Sequence, residues 1–376
     1  MQESISEMFG IEFPIFAFSH CRDVVAAVSK SGGLGVLGAV SLTPEQLDVE
    51  LSWIDNETDG KPYGVDVIVP AKYVGSDTDG LGVDDLQGFI PDELRSFVDE
   101  LMERYGVPAL PKDQTSPSGL LGWSKERAAG LLDVVFAHKV SLVANALGPP
   151  PTEMVERAHS KGVLVAALAG SAKHALQHRD VGVDLVVAQG YEAGGHTGEV
   201  STMVLVPEVV DAVAPLPVLA AGGIASGRQM AAAMALGAKG VWTGSVWLTT
   251  EEAETHPVVK EKFLQASSQD TVRSRCSTGK PARQLRSAWT QEWDSPETPS
   301  PLGMPLQTML VAEAQLRIAR AAATKGSGAE QLITYFVGQV VGSLKQVRPV
   351  RKVVLDMVEE YLDTVSKMAG EFAEST

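Results

Sequence analysis

The sequence predicts an α/β protein folded as a (β/α)8 TIM barrel, with an insertion after the third strand and a C-terminal helical cap. Short apolar runs recur along the first two thirds of the chain, and helix-like segments that end at a glycine lie between most of them. Strands that read as continuous apolar runs are buried on both faces, as parallel strands covered by helices are. Eight such units can close into a barrel, and a doubly wound open sheet is the alternative.

Eight runs rich in apolar or β-branched residues are the predicted strands. They cover residues 13–19, 34–40, 63–69, 141–147, 163–169, 184–190, 217–223 and 240–245. The intervening segments, such as "RDVVAAVSKSG" and "PTEMVERAHSKG", have the apolar spacing of helices. Their final glycines can adopt the left-handed conformation that closes a helix.

Two regions interrupt this alternation. Residues 71–122 are rich in Gly, Asp, Ser and Pro around one amphipathic helix, "PDELRSFVDELMERYG", which indicates an insertion. After Thr250 the pattern becomes mostly helical, with "PVVKEKFLQASS", "MLVAEAQLRIARAAA" and "AEQLITYFVGQVVGSL" as the clearest segments. We therefore expect a barrel over 1–250, a helical cap over 251–345, and a helix in 346–376 that packs back on the barrel.

Composition and charge exclude several classes of protein. The formal net charge of -16 opposes binding to nucleic acid or to anionic lipid. No apolar run reaches the roughly 18 residues that a membrane-spanning helix needs, so an integral membrane protein is not expected. Two cysteines are too few to predict a disulfide framework. The start "MQESISEMFG" lacks the basic and apolar regions of a secretory signal, so a reduced cytoplasm is favoured.

Glycine-rich loops follow the last two predicted strands, where barrels often hold a phosphate. Gly222 and Gly223 lie in "AAGGIASG", and the run from Trp242 through Thr243 and Gly244 to Ser245 reads "WTGS". Glycines at these places either turn the chain or let backbone N–H groups approach an anion, and two consecutive loops favour the anion. No G-x-G-x-x-G turn follows the first strand, so a mononucleotide is favoured over a dinucleotide.

His196 lies in "AQGYEAGGHTGEV", directly after the sixth predicted strand. The paired glycines before it, Gly194 and Gly195, leave room for a flat ring system against the backbone. Histidine has the side-chain pKa nearest neutrality, which suits the transfer of a proton to or from carbon. A histidine that is simply hydrogen-bonded in a turn is the alternative.

These motifs together resemble the nitronate monooxygenase family, formerly called 2-nitropropane dioxygenases. The likeness rests on "AQGYEAGGHTGEV", "AAGGIASG" and "VWTGSVWLTTEE", on the start "FPIFAFSHCRDVVAAVSKSGGLGVLGAV", and on "RSRCSTGKPARQLRSAW". The family consists of FMN enzymes on a barrel with a helical cap. Its Q-G-x-E-A-G-G-H element also occurs in FMN-dependent enoyl-acyl-carrier-protein reductases and flavin NADH:quinone reductases, so it indicates flavin and fold better than reaction.

The resemblance implies a set of cofactor-binding residues and one catalytic base. It assigns flavin contacts to Gln189 and Gly194, the phosphate to Gly223 and the loop from Trp242 to Ser245, and the role of base to His196. The neighbouring glycines Gly195 and Gly222 are counted with the cofactor-binding residues because they allow close backbone approach. The ends of the first and third strands, at Ala17, Phe18, Ser19 and Asp66, also fall beside the flavin. Two segments depart from the family pattern. The first strand lacks a Q-A-P-M-A-G end, and Asp66 stands where the family has an Asn that contacts FMN; a carboxylate there loses two hydrogen-bond donors.

The remaining candidates concern the substrate. His20 ends the first strand and is assigned either to the substrate site or to a structural role, and Tyr335 and Gln339 in the cap are expected to line the pocket. The cations of 273–286 can receive an anionic group or form a solvated face, and the second is favoured. No spacing of ligands predicts a metal site.

The function expected from these features is an FMN-dependent oxidoreductase that oxidises alkyl nitronates with O2. One alternative is an NAD(P)H-dependent flavin reductase of quinones or enoyl thioesters, and another is a barrel that binds a phosphate ligand without redox chemistry. The sequence leaves the oligomeric state open, with a homodimer among the options.

Overall fold

The computed structural model describes residues 4–69, 83–111 and 125–373, and its centre is a closed barrel of eight parallel strands. The barrel strands are β1 (Ile15–Ser19), β2 (Leu34–Gly38), β3 (Tyr63–Val67), β4 (Leu142–Asn145), β5 (Leu164–Ala169), β6 (Leu185–Gln189), β8 (Val218–Ala221) and β9 (Gly240–Thr243). They pair in the order β1-β2-β3-β4-β5-β6-β8-β9, and β9 closes the ring on β1. Each lies inside one of the eight predicted runs, so the predicted TIM barrel is confirmed.

Three further short strands form a small separate sheet in the order β10-β11-β7. They are β7 (Gly195–His196), β10 (Thr271–Ser274) and β11 (Ala282–Leu285). All of its pairs are antiparallel, and it connects the loop after β6 to the C-terminal part of the chain. No pattern in the sequence predicted this sheet.

Helices connect the barrel strands and build the C-terminal part. They are α1 (Ile5–Phe9), α2 (Arg22–Lys30), α3 (Pro44–Glu57), α4 (Val83–Gly88), α5 (Asp92–Arg104), α6 (Lys125–Val135), α7 (Thr152–Ser160), α8 (Ala172–Asp180), α9 (Thr202–Val213), α10 (Gly227–Ala235), α11 (Pro257–Gln265), α12 (Ala288–Trp293), α13 (Leu306–Ala322), α14 (Ala329–Leu332) and α15 (Val350–Ala373). Short 3-10 turns cover Ser245–Thr249, Ser268–Asp270 and Gln339–Ser343. No helix of the described residues is long and apolar enough to cross a membrane.

Local sequence accounts for where several of these helices begin. Thr43 precedes α3 and accepts a hydrogen bond from the N–H of Gln46, while Gln46 accepts one from the N–H of Thr43. Pro44 occupies the first turn, where its missing N–H costs nothing. Ser226 caps α10 through the N–H of Gln229 in the same way. This cap holds the glycine loop after β8 against the start of a helix.

The buried apolar residues form separate cores. One fills the barrel interior, and a larger one lies between the strands and the surrounding helices. A further core lies in the C-terminal part and includes Leu94, Val98, Leu101 and Met102 of α5. The predicted insertion is thus more than a surface loop, because its amphipathic helix completes the core of the cap. Residues 71–82 and 112–122 of the predicted insertion lie outside the described residues.

The C-terminal helix packs against α10 on the outside of the barrel. Gly227 allows the close approach, since a Cβ there would lie 2.3 Å from the carbonyl oxygen of Met357. Glu360 accepts a hydrogen bond from the N–H of Gly227 at 2.8 Å and pairs with Arg228 at 2.6 Å. The side chain of Glu360 therefore holds the N-terminus of α10 to the middle of α15.

The long helix predicted over 329–344 is wrong. Only Ala329–Leu332 is α-helical, and the following residues run extended beside β11, where Leu285 donates to the carbonyl of Tyr335 at 3.0 Å. Gly338 lies where a Cβ would come within 2.7 Å of the carbonyl oxygen of Glu192. Contact with the loop after β6 therefore overrides the helical pattern of this segment.

Candidate functional site

A cavity of about 1080 Å³ opens at the carboxyl ends of the barrel strands, beneath the cap. Ligand sites in barrels of this kind lie at this face, and the volume is at the upper end of what small-molecule sites enclose. Of the predicted site residues, those that line the cavity are Phe18, Ser19, His20, Asp66, Gln189, Gly194, Gly195, His196, Gly222, Gly223, Trp242, Thr243, Gly244, Ser245 and Tyr335. Residues far apart in sequence thus converge on one space.

Two predicted site residues do not line the cavity. Ala17 is fully buried between the barrel and its helices, because neighbouring residues of a strand point to opposite faces. Gln339 uses its backbone N–H to donate to the carbonyl of Glu192 at 2.9 Å. The cavity wall is formed instead by Gly338 and Val340 on either side of it.

The loops after β8 and β9 supply a cradle of backbone N–H groups. Gly222 and Gly223 have φ values of 93° and 73°, a left-handed conformation that side chains rarely adopt. Within the described part of the chain, the N–H groups of Gly223 and Gly244 have no hydrogen-bond partner. A Cβ on Gly244 would meet no atom within 4 Å. Both loops are therefore open toward the cavity and can receive an anion.

The two hydroxyls beside this cradle are not equivalent. Thr243 donates to the carbonyl of Phe16 at 3.0 Å and accepts from the indole N–H of Trp247 at 3.0 Å, so its hydroxyl is used inside the fold. Ser245 accepts from the N–H of Gly338 at 2.8 Å, which leaves its own O–H free to donate. The contribution expected from Thr243 is thus limited to its backbone, while Ser245 connects the cradle to the cap.

The loop that carries His196 is held on both sides. In β7, His196 pairs with Ala282 of β11, which attaches the loop to the cap. At its base, Glu192 accepts hydrogen bonds from the N–H and hydroxyl of Thr202 at 2.9 and 2.8 Å. Gly194 packs on the extended segment of the cap, where a Cβ would lie 2.8 Å from the N atom of Gly338. The glycines therefore serve a close backbone contact as well as an open wall.

The carbonyl of Pro281 determines which nitrogen of the His196 ring carries the hydrogen. Nδ1 lies 3.3 Å from the carbonyl oxygen of Pro281, which can only accept, so Nδ1 carries the hydrogen and the lone pair lies on Nε2. Burial lowers the pKa of His196 to about 4, with the Pro281 carbonyl acting in the opposite direction and the charge of Lys280 in the same one. At neutral pH His196 is therefore an uncharged ring that can accept a proton.

Two arginines of the basic segment 273–286 play a role that was not predicted from the sequence. Arg283 is 3% exposed and donates to the carbonyl of Tyr191 at 2.9 and 3.2 Å. The guanidinium groups of Arg283 and Arg273 lie 4.4 and 5.0 Å from the centre of the Tyr191 ring. They therefore form neither a solvated face nor an anion site, because cation–π contacts use them to fix the loop before His196. An aromatic residue beside a glycine-rich loop was the only signal available in the sequence.

Asp66 is the buried acid of the site. It ends β3, is 4% exposed and lines the cavity, and its Oδ1 has no hydrogen-bond partner among the described residues. Burial raises the pKa of Asp66 to about 8, so the neutral acid predominates at neutral pH. A carboxylate at this position would have neither of the two N–H donors of the family's Asn. The protonated carboxyl of Asp66 recovers one donor, its O–H.

We expect Asp66→Asn to stabilise the protein in a pH-dependent way. The pKa of about 8 exceeds the ordinary 3.8, so the folded wild type keeps a proton that the unfolded chain releases between about pH 4 and 8. Its free energy of unfolding therefore falls as pH rises through this window. The gain in Tm for the variant should be small at pH 4 and on the order of 5 °C at pH 8. Thermal unfolding followed by circular dichroism measures it, and an equal difference at both pH values contradicts the raised pKa.

A group of possible metal ligands lies at the cavity rim. One ligand atom each from Cys21, Asp23 and Glu254 lies within 4.8 Å of the others. Burial raises the pKa of the Cys21 thiol, and its Sγ contacts the carbonyl of Glu252 at 3.2 Å. A protonated thiol is a poor metal ligand, so the expectation that the protein needs no metal remains a prediction.

The cavity fits the flavin that the sequence motifs imply. Side chains at Gly223 and Gly244 would occupy the space beside free N–H groups, which is where a phosphate belongs. The unpartnered Oδ1 of Asp66 is a buried polar atom that a bound ring system can satisfy. The donor set and the open glycines thus suit a phosphorylated aromatic cofactor.

Comparison with known proteins gives the family. The model of the nitronate monooxygenase family matches residues 2–360. A Mycobacterium tuberculosis protein named "Putative monooxygenase" is 64% identical over 371 residues, with 98% of this chain and 99% of that protein covered. A Staphylococcus saprophyticus protein named "Probable nitronate monooxygenase" is 30% identical, with 81% and 84% covered. The solved structure of FabK from Thermotoga maritima is similar at 30% identity and a TM-score of 0.73, with 99% and 100% covered. The chain belongs to the nitronate monooxygenase family and is a flavin-dependent oxidative enzyme.

Proposed function

We propose that the protein binds FMN in this cavity and oxidises alkyl nitronates with O2, and that His196 is the base that removes the proton from a neutral nitroalkane. The observation that carries the proposal is the uncharged His196 ring, whose Nδ1 hydrogen faces Pro281 and whose Nε2 lone pair is free. The family membership supports the nitronate as substrate.

The residues divide the work of binding and proton transfer. The N–H groups of Gly223 and Gly244 and the hydroxyl of Ser245 hold the phosphate of FMN. When bound, the flavin supplies the redox chemistry, in which electrons leave the substrate and pass to O2. Nε2 of His196 takes the proton from the carbon that bears the nitro group, which leaves the nitronate anion.

Lys280 contributes an electrostatic effect to this step. It lines the cavity, and its charge acts on the His196 ring. A positive charge beside the ring disfavours the protonated imidazole and favours a nearby anion. Lys280 thus keeps the base ready at neutral pH and attracts the nitronate that forms.

Anaerobic stopped-flow measurement tests the reaction class. The purified protein should carry the visible absorption of flavin, and mixing with a nitronate should change that spectrum faster than mixing with NADH or NADPH. Rapid bleaching by a nicotinamide without any response to nitronates contradicts the proposal and supports a reductase of quinones or enoyl thioesters. A colourless protein that binds a phosphate ligand supports the non-redox alternative.

The pH dependence gives a second test of His196. With a pKa of about 4, the base stays unprotonated at pH 5, so kcat/KM for a neutral nitroalkane should be nearly constant between pH 7 and 5 and fall only as pH drops through about 4. If the base had an ordinary histidine pKa of about 6.5, kcat/KM at pH 5 would be roughly 30-fold lower than at neutral pH. Oxygen uptake measures the rate, and circular dichroism at pH 5 controls for unfolding. A 30-fold fall in the folded protein contradicts the uncharged base.

A further inference from the structure

The cap side of the cavity carries polar groups to which the proposed function assigns no role. They belong to β11 and the turn before it, to α12 and to α13, and comprise Ser277, Gln284, Trp289, Thr308 and Gln315, all of which line the cavity. We call these residues the cap subsite. A cavity wall that only has to enclose a small alkyl chain needs no such groups, since apolar residues serve that purpose.

Two donors of the cap subsite are unpartnered. Trp289 is 1% exposed, and its indole N–H has no hydrogen-bond partner among the described residues. The same holds in the described chain for the hydroxyl of Thr308. An unsatisfied buried polar group costs about 1–3 kcal/mol, so most such groups have a partner in the functional state. An indole N–H can only donate, so the missing partner is an acceptor.

The other three residues are already ordered around this space. Gln315 donates to the hydroxyl of Ser277 at 3.3 Å, and Ser277 donates to Oε1 of Gln284 at 3.1 Å. Each of the two glutamine amides makes one bond through its nitrogen and keeps a second N–H. Hydrogen bonds thus fix the side chains before any ligand arrives, and each amide nitrogen keeps an N–H that can donate.

The position of the cap subsite relates it to the base. His196 pairs with Ala282 on β11, and Gln284 lies two residues further along the same strand, about 7 Å away at the usual rise. On α13, Thr308 and Gln315 are seven residues apart, which places them on one face about 10 Å from each other. The polar wall therefore begins two residues along β11 from the residue that pairs with His196 and extends along α13 under the cap.

The charge of the wall selects the chemistry of its ligand. The residues of α12 and α13 that line the cavity carry no charge, and Lys280 is near His196 rather than among them. Neutral N–H and O–H donors without a cation suit a carbonyl oxygen better than a carboxylate, whose desolvation needs a positive partner. We propose that the cap subsite binds a neutral carbonyl group, as in an ester, amide or ketone, on the tail of the substrate. The inference rests on the proposed function only for the nitro group of the substrate, and the carbonyl on its tail is inferred from the cap subsite.

Two nitro compounds of equal chain length test the substrate class. Methyl 4-nitrobutanoate and 1-nitrohexane each have an unbranched chain of six heavy atoms after the nitro nitrogen, and only the first carries a carbonyl oxygen on that chain. With the holoenzyme, kcat/KM should favour the ester, and Thr308→Val should reduce that preference by about 3- to 10-fold, the effect of one hydrogen bond. Trp289→Phe should act in the same direction. Thr152→Val is the matched control, because Thr152 is exposed at the start of α7 outside the cavity.

A binding measurement separates this inference from the proposed function. Dimethyl glutarate has an ester in place of the nitro group and undergoes no oxidation, so its Kd for the holoenzyme, measured by calorimetry, reports the subsite even if neither nitro compound is turned over. Thr308→Val should weaken it about 3- to 10-fold. An unchanged Kd and an unchanged ester preference in both folded variants overturn the proposal and indicate that water alone occupies the donors.

Discussion

Replacing His196 with Asn is expected to lower kcat/KM for a neutral nitroalkane by about 100-fold or more, the usual effect of removing a positioned base. Asn fills similar space and keeps a donor for the carbonyl of Pro281, so the strand pairing of β7 and the bound flavin should survive. Oxygen uptake and the flavin spectrum of the same preparation measure the two properties together. The effect is large because the uncharged Nε2 is lost as the proton acceptor.

The preformed nitronate provides the internal comparison. It has already lost the proton, so its oxidation should suffer much less in His196→Asn than oxidation of the neutral nitroalkane does. His159→Asn is the matched control, because His159 lies on α7 outside the cavity and pairs with Asp184 at 2.9 Å. Equal losses for both substrate forms mean that the ring orients the anion instead of removing the proton. Unchanged rates with flavin bound leave His196 a structural residue and direct attention to His20, which also lines the cavity.

Replacing Gly244 with Val is expected to give a folded protein that has lost most of its flavin. A Cβ there would meet no atom within 4 Å, and Gly244 lines the cavity, so we expect the side chain to project into the cavity and leave the fold intact. It covers the free N–H that is proposed to hold the phosphate, and one hydrogen bond to a charged group contributes about 1.5–3 kcal/mol, or roughly 10- to 150-fold in Kd. The ratio of flavin absorbance to protein absorbance, followed by titration of the apoprotein with FMN, measures the loss.

Graded and matched variants make this result specific. Gly244→Ala adds one methyl group and should weaken flavin binding less than Val does. Gly88→Val is the matched control, since Gly88 is exposed at the end of α4 and a Cβ there also meets no atom within 4 Å. Gly223→Val is a poorer test because its φ of 73° strains any side chain. Full flavin occupancy in Gly244→Val excludes the phosphate cradle.

The barrel itself could be predicted from the sequence because its signals are local. Each strand is a short apolar run that is buried on both faces, and some helices begin at their own caps, as Thr43 and Ser226 show. Since parallel strands all present their carboxyl ends at one face, the order of the runs also places the glycine loops and the loop of His196 side by side. Periodicity, turn chemistry and chain order were sufficient for that much.

The chemistry of the site depends on contacts that no local pattern contains. His196 and Pro281 are 85 residues apart, and only the pairing of β7 with β11 brings the carbonyl to Nδ1 and leaves Nε2 as the acceptor. The segment 329–344 is not one long helix because it contacts the same loop after β6. Helical periodicity contains no information about such a contact. The pairing is specified by the hydrogen bonds that two distant segments complete only when both are in place.

The protonation states were likewise decided by the tertiary structure. Asp66 read as a carboxylate in the sequence, and removal from water raises its pKa to about 8 and makes it a neutral acid. The unpartnered donors Trp289 and Thr308 carried no signal of their own, since a tryptophan and a threonine in a helical segment indicate core or surface equally well. The sequence by itself determined the eight barrel strands, the helices between them and their order. Only the folded chain determined which groups are desolvated and which lack a partner, because desolvation depends on every neighbour at once.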